Sequence, residues 1–253
     1  MNQFNKPPLG SQIDPEHPLS RGLVACWLMN EGSGNRIQDI SGNGNHGVLT
    51  GGPLWRPGPR GVALALDGLD DRVLLSNPAI ASGNAFSIVT WIYIRGAGFT
   101  GANNYSTIIG NSYYNRLLVA IFSGAPVRLL AQMGAGNHLS GNFSIGKNES
   151  FLVAYVYDGT NAQWYINGNS SGAPYPCIIG LNANQRLGSF DGANYFLYGR
   201  QDELRIYNRA LTAQEIAQLY REPYAFIHQP RKYWLMPQGG MIPPHLLIGR
   251  RAA

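Results

Sequence analysis

The stretch Gly22–Gly47, GLVACWLMNEGSGNRIQDISGNGNHG, decides the fold. Its apolar residues Leu23 to Met29 run straight into a loop rich in Gly, Asn and Asp. Gly and Asn tolerate positive φ, and Asn and Asp side chains make their own turn hydrogen bonds. The segment therefore reads as an outer strand followed by a tightly folded, oxygen-rich loop. That combination suits a β-sandwich carrying function on its loops and argues against a catalytic α/β fold.

Strand and turn signals continue outward from this stretch. Period-2 and turn-bounded patterns predict strands at Leu23–Met29, Gly61–Leu66, Arg72–Leu75, Phe86–Ile94, Ser106–Gly110, Leu117–Phe122 and Val127–Gln132. Further strands are predicted at Phe151–Tyr157, Ala162–Ile166, Cys177–Leu181, Arg186–Gly188 and Gln201–Tyr207. In Phe86–Ile94 the residues Phe86, Ile88, Thr90, Ile92 and Ile94 share one face, and Ser87, Val89, Trp91 and Tyr93 share the other. Asp158-Gly159 and Asn167-Gly168 mark hairpin turns. One helix is predicted from Leu211, with Thr212 as N-cap, Glu215 completing a capping box, and Leu211 able to staple against Ile216.

The composition agrees. Only 13% of the 253 residues are charged, while there are 32 Gly and 16 Pro, as expected of short strands joined by turns rather than long helices. At 44% apolar the chain can bury a two-sheet core. Three parts emerge: an extended N-terminal arm over residues 1–21, a sandwich over 22–222, and a C-terminal arm over 223–253 broken by Pro223, Pro230, Pro237, Pro243 and Pro244. The net charge of +5 gathers in the last part, where Arg221, Arg231, Lys232, Arg250 and Arg251 face only Glu222. Without a stacking platform this argues against nucleic acid. No apolar run spans a bilayer, so no membrane partner is expected. The N-terminus MNQFNKPPLGSQ carries no secretory signal, so synthesis and assembly in a cytoplasm are expected. Cys26 and Cys177 read as buried thiols, with a disulfide between them left open.

Taken in order, GLVACWLMNEGSG, DISGNGNHG, GVALALDGLDDRV, FSIVTWIYI, FLVAYVYDGTNAQWYING and DELRIYNRALTAQEIAQLY resemble the concanavalin A-like, laminin-G-like jelly-roll family over about residues 22–220. The resemblance implies an all-β, two-sheet antiparallel sandwich with one short C-terminal helix. Many members of this fold bind a structural or ligand-bridging Ca²⁺, which wants six to eight oxygen ligands. The loop Asn30–Asn45 offers Asn30, Glu31, Asp39, Asn43 and Asn45, and Asp202 stands at the family-like position for a carboxylate reaching that loop. Asn30, Asp39 and Asp202 are the candidate Ca²⁺ ligands; the alternative is that Asp39 and Asn43 only cap turns. Asp70-Asp71 reads as a turn ahead of a strand in preference to a second acidic site.

The loops Gly96–Tyr105 and Gly134–Asn142 carry Tyr, Asn and His, residue types that suit glycan recognition. Enzyme signatures are absent. Glycoside hydrolysis needs two carboxylates flanking the scissile bond, and Phe86–Ile94 and Phe151–Tyr157 contain none. No G-x-S-x-G, H-E-x-x-H or P-loop occurs.

The C-terminal arm exposes apolar residues at a density that marks an interaction surface. Tyr224, Phe226, Arg231, Tyr233, Trp234, Leu246 and Leu247 are its candidate partner-binding residues, since large aromatics and Arg anchor interfaces. A lectin-like sandwich with such arms looks like the laminin-G-like proteins encoded by tailed bacteriophages. That likeness implies a non-enzymatic virion protein, either a capsid decoration or a surface adhesin, contacting copies of itself or major capsid or tail proteins. The alternative is a carbohydrate-binding module or adhesin that binds host-surface glycans with the help of Ca²⁺.

Overall fold

In the computed structural model, which describes residues 6–76, 85–95, 106–110, 115–116, 129–133, 136–139, 149–176, 185–190, 192–193 and 195–228, the alternating stretch Phe86–Ile94 becomes a central strand. In chain order the strands are β1 (Gln12–Ile13), β2 (Leu23–Trp27), β3 (Arg36–Ile37), β4 (Gly47–Thr50), β5 (Leu54–Gly58), β6 (Gly61–Asp67), β7 (Arg72–Leu75), β8 (Phe86–Ile94) and β9 (Ile109–Gly110). They continue as β10 (Asn115–Arg116), β11 (Leu130–Met133), β12 (Gly136–Leu139), β13 (Ser150–Tyr157), β14 (Asn161–Ile166), β15 (Asn169–Pro176), β16 (Arg186–Leu187) and β17 (Tyr198–Tyr207). The helix α1 (Ala213–Arg221) precedes β18 (Ile227–His228), and a 3-10 turn covers Pro18–Ser20. The expected strands Leu117–Phe122 and Cys177–Leu181 lie outside the described residues.

The larger sheet has eight strands, in the order β15-β14-β13-β8-β17-β6-β5, with β2 also paired to β17. Strand β17 is long enough to pair β6 through Tyr198–Gln201 and β2 through Leu204–Tyr207 along one edge, while β8 runs along the other. The second sheet has five strands, β3-β4-β7-β16-β9. Every strand pairing among the described residues is antiparallel. The chain is thus the two-sheet sandwich with one short helix that its sequence predicts.

Two apolar layers hold it together. Phe86, Ile88, Ile92 and Ile94 join Trp27, Val73, Leu75, Ile109 and Leu187 between the sheets. Val89 and Trp91, on the opposite face of β8, join Leu19, Leu152, Ala154, Ile216, Leu219 and Phe226 in a second layer under α1 and the chain ends. The larger sheet is therefore covered on both faces. At about 25 cal/mol per Å² of apolar area, each buried Leu, Ile or Phe stabilises the fold by roughly 1.5–3 kcal/mol before entropy is counted.

Local chemistry sets the turns. Asn167 (φ 49°) and Gly168 (φ 85°) both take left-handed backbone between β14 and β15, as a type I′ turn requires. Gly47, which ends the opening stretch, is needed for space: a Cβ there would meet Val73 Cγ1 at 2.5 Å. Thr212 caps α1, accepting from the Glu215 N–H, and the Glu215 carboxylate accepts the Thr212 N–H in return. Arg209 grips Glu215 with two nitrogens and donates to the Arg21 and Pro18 carbonyls, tying α1 to the N-terminal turn.

The described parts of the two terminal segments meet each other. β1 pairs with β18, and the Asp14 N–H donates to the Phe226 carbonyl at 2.9 Å. Leu19, Phe226 and Ile227 are buried in the outer layer. Residues 6–21 and 223–228 are therefore clasped to each other and to their own sandwich. The physical reason is the outer face of the larger sheet, whose Val89, Trp91 and Leu152 need a cover that the single short helix does not fully supply.

Candidate functional site

The first loop is organised by one carboxylate. Asp39 Oδ1 accepts from the Cys26 and Ser41 N–H groups, and Oδ2 accepts from Ser41 Oγ and the Asn45 N–H, at 2.8–2.9 Å. Asn43 Nδ2 donates to the Leu23 and Val24 carbonyls, and His46 Nδ1 accepts the Asp39 N–H. Both Asp39 oxygens are thus committed to donors, and the residue caps the loop. Cys26 beneath it is a buried free thiol, pushed up to about 12 by burial.

Asp202 and Glu203 lie at a bulge in β17, where the register with β8 shifts between Asp202 and Arg205 and Glu203 takes φ 52°. The bulge puts two successive carboxylates on the outer face, which a regular strand would split. Glu203 Oε1 accepts from Arg60 Nε at 2.7 Å and from the Tyr224 hydroxyl, and Oε2 faces Arg205 Nη2 at 3.4 Å. Burial works to raise the Glu203 carboxyl, but Arg205, Arg60 and Lys6 together hold it below the usual range. Asp202 Oδ1 is in contact with the Lys6 ammonium, which also donates to the Met29 and Val62 carbonyls. Burial pushes Asp202 up to about 7 against the pull of Lys6.

Each of the three expected Ca²⁺ ligands has protein partners of its own in this structure. Asp39 is taken up by four donors, Asp202 faces an ammonium, and the Asn30 side chain donates to the Pro7 carbonyl at 2.7 Å. Both Asp39 oxygens and one Asp202 oxygen are thus occupied by donors or a cation rather than left free for a metal.

A different acidic group comes together at the β6–β7 turn. The ligand oxygens of Asp67, Asp70 and Asp71 lie within 4.8 Å of one another, so these side chains could hold a metal ion. Burial pushes Asp71 up to about 6, and the charges of Asp67 and Asp70 add to that, while the Asp67 N–H donated to Asp71 works against it. The turn reading of Asp70-Asp71 was right about the backbone but omitted Asp67. The spacing D-x-x-D-D was the available signal, since Asp67 Oδ1 accepts the Leu69 N–H and so curls the turn back toward its own start.

Among the described residues, two surfaces could meet a ligand. A shallow hollow of about 10 Å³ lies on the outer face of the larger sheet among Arg60, Trp91, Tyr93, Ser150, Arg200 and Asp202. Its rings are already faced by arginines, Arg60 at 3.5 Å over Trp91 and Arg200 at 4.7 Å over Tyr93. The outer face of the five-stranded sheet is more open. There Val48 and Leu74, cross-strand partners, are 47% and 39% exposed, and exposed Arg36 pairs with Val48 on the other side.

Of the expected partner-binding residues, Tyr224 and Phe226 are turned inward. Tyr224 bonds to Glu203, and Phe226 is fully buried with Arg205 5.6 Å from its ring centre. Arg231, Tyr233, Trp234, Leu246 and Leu247 lie outside the described residues, as does the loop Gly96–Tyr105. The expected loop Gly134–Asn142 contains strand β12, paired with β11.

Residues 67–217 match the family described as the concanavalin A-like lectin/glucanases superfamily. No curated protein sequence matches the chain. Among solved structures, the chain is similar to domain 4 of AbnA, a GH43 extracellular arabinanase from Geobacillus stearothermophilus, in complex with arabinotriose. The two are 22% identical with a TM-score of 0.61, over 78% of this chain and 98% of that domain. It is also similar to the binding domain of Paraclostridial Mosquitocidal Protein 1, at 16% identity and TM-score 0.65, over 82% of this chain and 53% of that one. The botulinum neurotoxin serotype G binding domain is similar at 16% identity and TM-score 0.62, over 80% of this chain and 51% of that one. The chain thus spans about half the length of the toxin binding domains.

Proposed function

The chain belongs to the concanavalin A-like lectin/glucanase superfamily, and from that premise we propose that it is a non-enzymatic binding domain whose ligand is a carbohydrate. The observation that carries this reading is the likeness to an entire arabinanase domain solved with arabinotriose, 98% of which the chain covers. The open face of the five-stranded sheet is the surface we assign to ligand contact. It offers the exposed apolar pair Val48 and Leu74 with the Arg36 guanidinium beside them, suited to a sugar's apolar face and its hydroxyls. Calcium is the ion we assign to Asp67, Asp70 and Asp71, because three carboxylates are hard oxygen ligands of the kind it takes.

Titration of the full chain with arabinotriose and other short oligosaccharides tests this, with the same mixtures assayed for cleavage products. Saturable heat of binding without products is expected. Cleavage would overturn the non-enzymatic part, and silence across all sugars would overturn the ligand class.

A further inference from the structure

We propose that Lys6 is a tethered cation, whose ammonium fills an oxygen cage between the end of the first long strand and the bulge of β17 and there takes the place of a bound metal ion. The cage consists of the Met29 and Val62 carbonyls and the Asp202 carboxylate, drawn from positions 23, 56 and 196 residues away. Its ligand types are those of a calcium site, two backbone carbonyls and a carboxylate. The lysine side chain is 3% exposed and that of Asp202 7%, so the pair is largely buried. Asp202 Oδ2 is buried with no hydrogen-bond partner among the described residues, which leaves the cage a spare acceptor.

The segment bearing the lysine is fastened on both sides. The Lys6 N–H donates to the Arg60 carbonyl at 3.1 Å, and Asn30 Nδ2 donates to the Pro7 carbonyl at 2.7 Å. The neighbouring charges agree: Arg60 and Arg205 are matched to Glu203, which leaves Lys6 as the cation in contact with Asp202. This accounts for the cation found beside Asp202, and it is independent of what the domain binds.

The test compares three full-length chains: wild type, Lys6→Met, which fills the cage without charge, and Lys6→Ala, which opens it. Each is melted with excess chelator and with millimolar calcium. With chelator both variants should lose roughly 6–12 °C in Tm, the cost of stranding a buried carboxylate. Calcium should then restore Lys6→Ala well beyond any shift seen in wild type or Lys6→Met. Those two chains carry the Asp67, Asp70 and Asp71 group unchanged and so subtract its contribution. Unchanged melting in both variants, or a loss in Lys6→Ala that calcium does not selectively restore, overturns the proposal. If Lys6→Ala does not fold, the double variant Lys6→Met/Asp202→Leu decides. Recovery of folding supports the proposal, and failure to recover counts against it.

Discussion

Arg60 Nε lies 2.7 Å from Glu203 Oε1 across 143 residues of chain, and the same guanidinium is stacked 3.5 Å above the Trp91 ring. One side chain thus closes the β5–β6 hairpin onto the bulge of β17 and covers the central strand. Removing it as Arg60→Met should destabilise the domain by about 3–5 kcal/mol, since Glu203 loses a buried partner. Urea unfolding would read this directly. A loss under about 1 kcal/mol, the scale of a surface pair, would mean that Arg205 and Tyr224 alone satisfy Glu203.

The acid groups set a pH signature. Burial pushes Asp71 up to about 6 and Asp202 up to about 7 from an ordinary 3.8. A raised folded pKa means that the native state binds more protons across that window, so stability falls as pH rises from about 4 to about 7. Glu203, held low by its arginines against its own burial, works in the opposite direction and loses its contribution only in stronger acid. Thermal melts should therefore peak on the acid side of neutral, and Asp71→Asn should flatten the decline. A Tm that climbs steadily from about pH 5 to about pH 8 would contradict this.

Calcium should act at the β6–β7 turn. Above the raised pKa of Asp71, added calcium should raise Tm, and Asp70→Asn should remove the effect. At about pH 5, protons compete for the same oxygens and the shift should shrink. An equal calcium shift in wild type and Asp70→Asn would place the ion elsewhere.

The open sheet face makes a separable prediction. Val48→Glu with Leu74→Glu should abolish sugar binding while moving stability by less than about 1 kcal/mol, because both side chains already face water. Titration calorimetry and melting curves on the same preparation check both halves. Intact binding would remove this face from the account.

Much of the sandwich was legible because β8 writes its two faces into alternate residues: Phe86, Ile88, Ile92 and Ile94 enter one core layer, Val89 and Trp91 the other. Helix α1 was legible because Thr212 and Glu215 solve a local hydrogen-bonding problem. Strands β5 and β15 were missed because Pro57, Pro174 and Pro176 argue against strands. Both strands are edges of the larger sheet, where a missing N–H costs little. The Lys6–Asp202 pair was not legible, since nothing local to either residue announces a partner 196 positions away. The pairing of residues 6–21 with 223–228 was not legible for a related reason. Apolar residues between prolines look the same whether they cover a partner or their own sheet.

The most direct measurement is a glycan array probed with the full-length chain, followed by titration of the strongest hit. Saturable, sugar-selective binding is expected, lost in the Val48→Glu/Leu74→Glu variant, with the bound glycan recovered uncleaved. No binding to any glycan by a chain shown to be folded, or recovery of a shortened glycan, would contradict it.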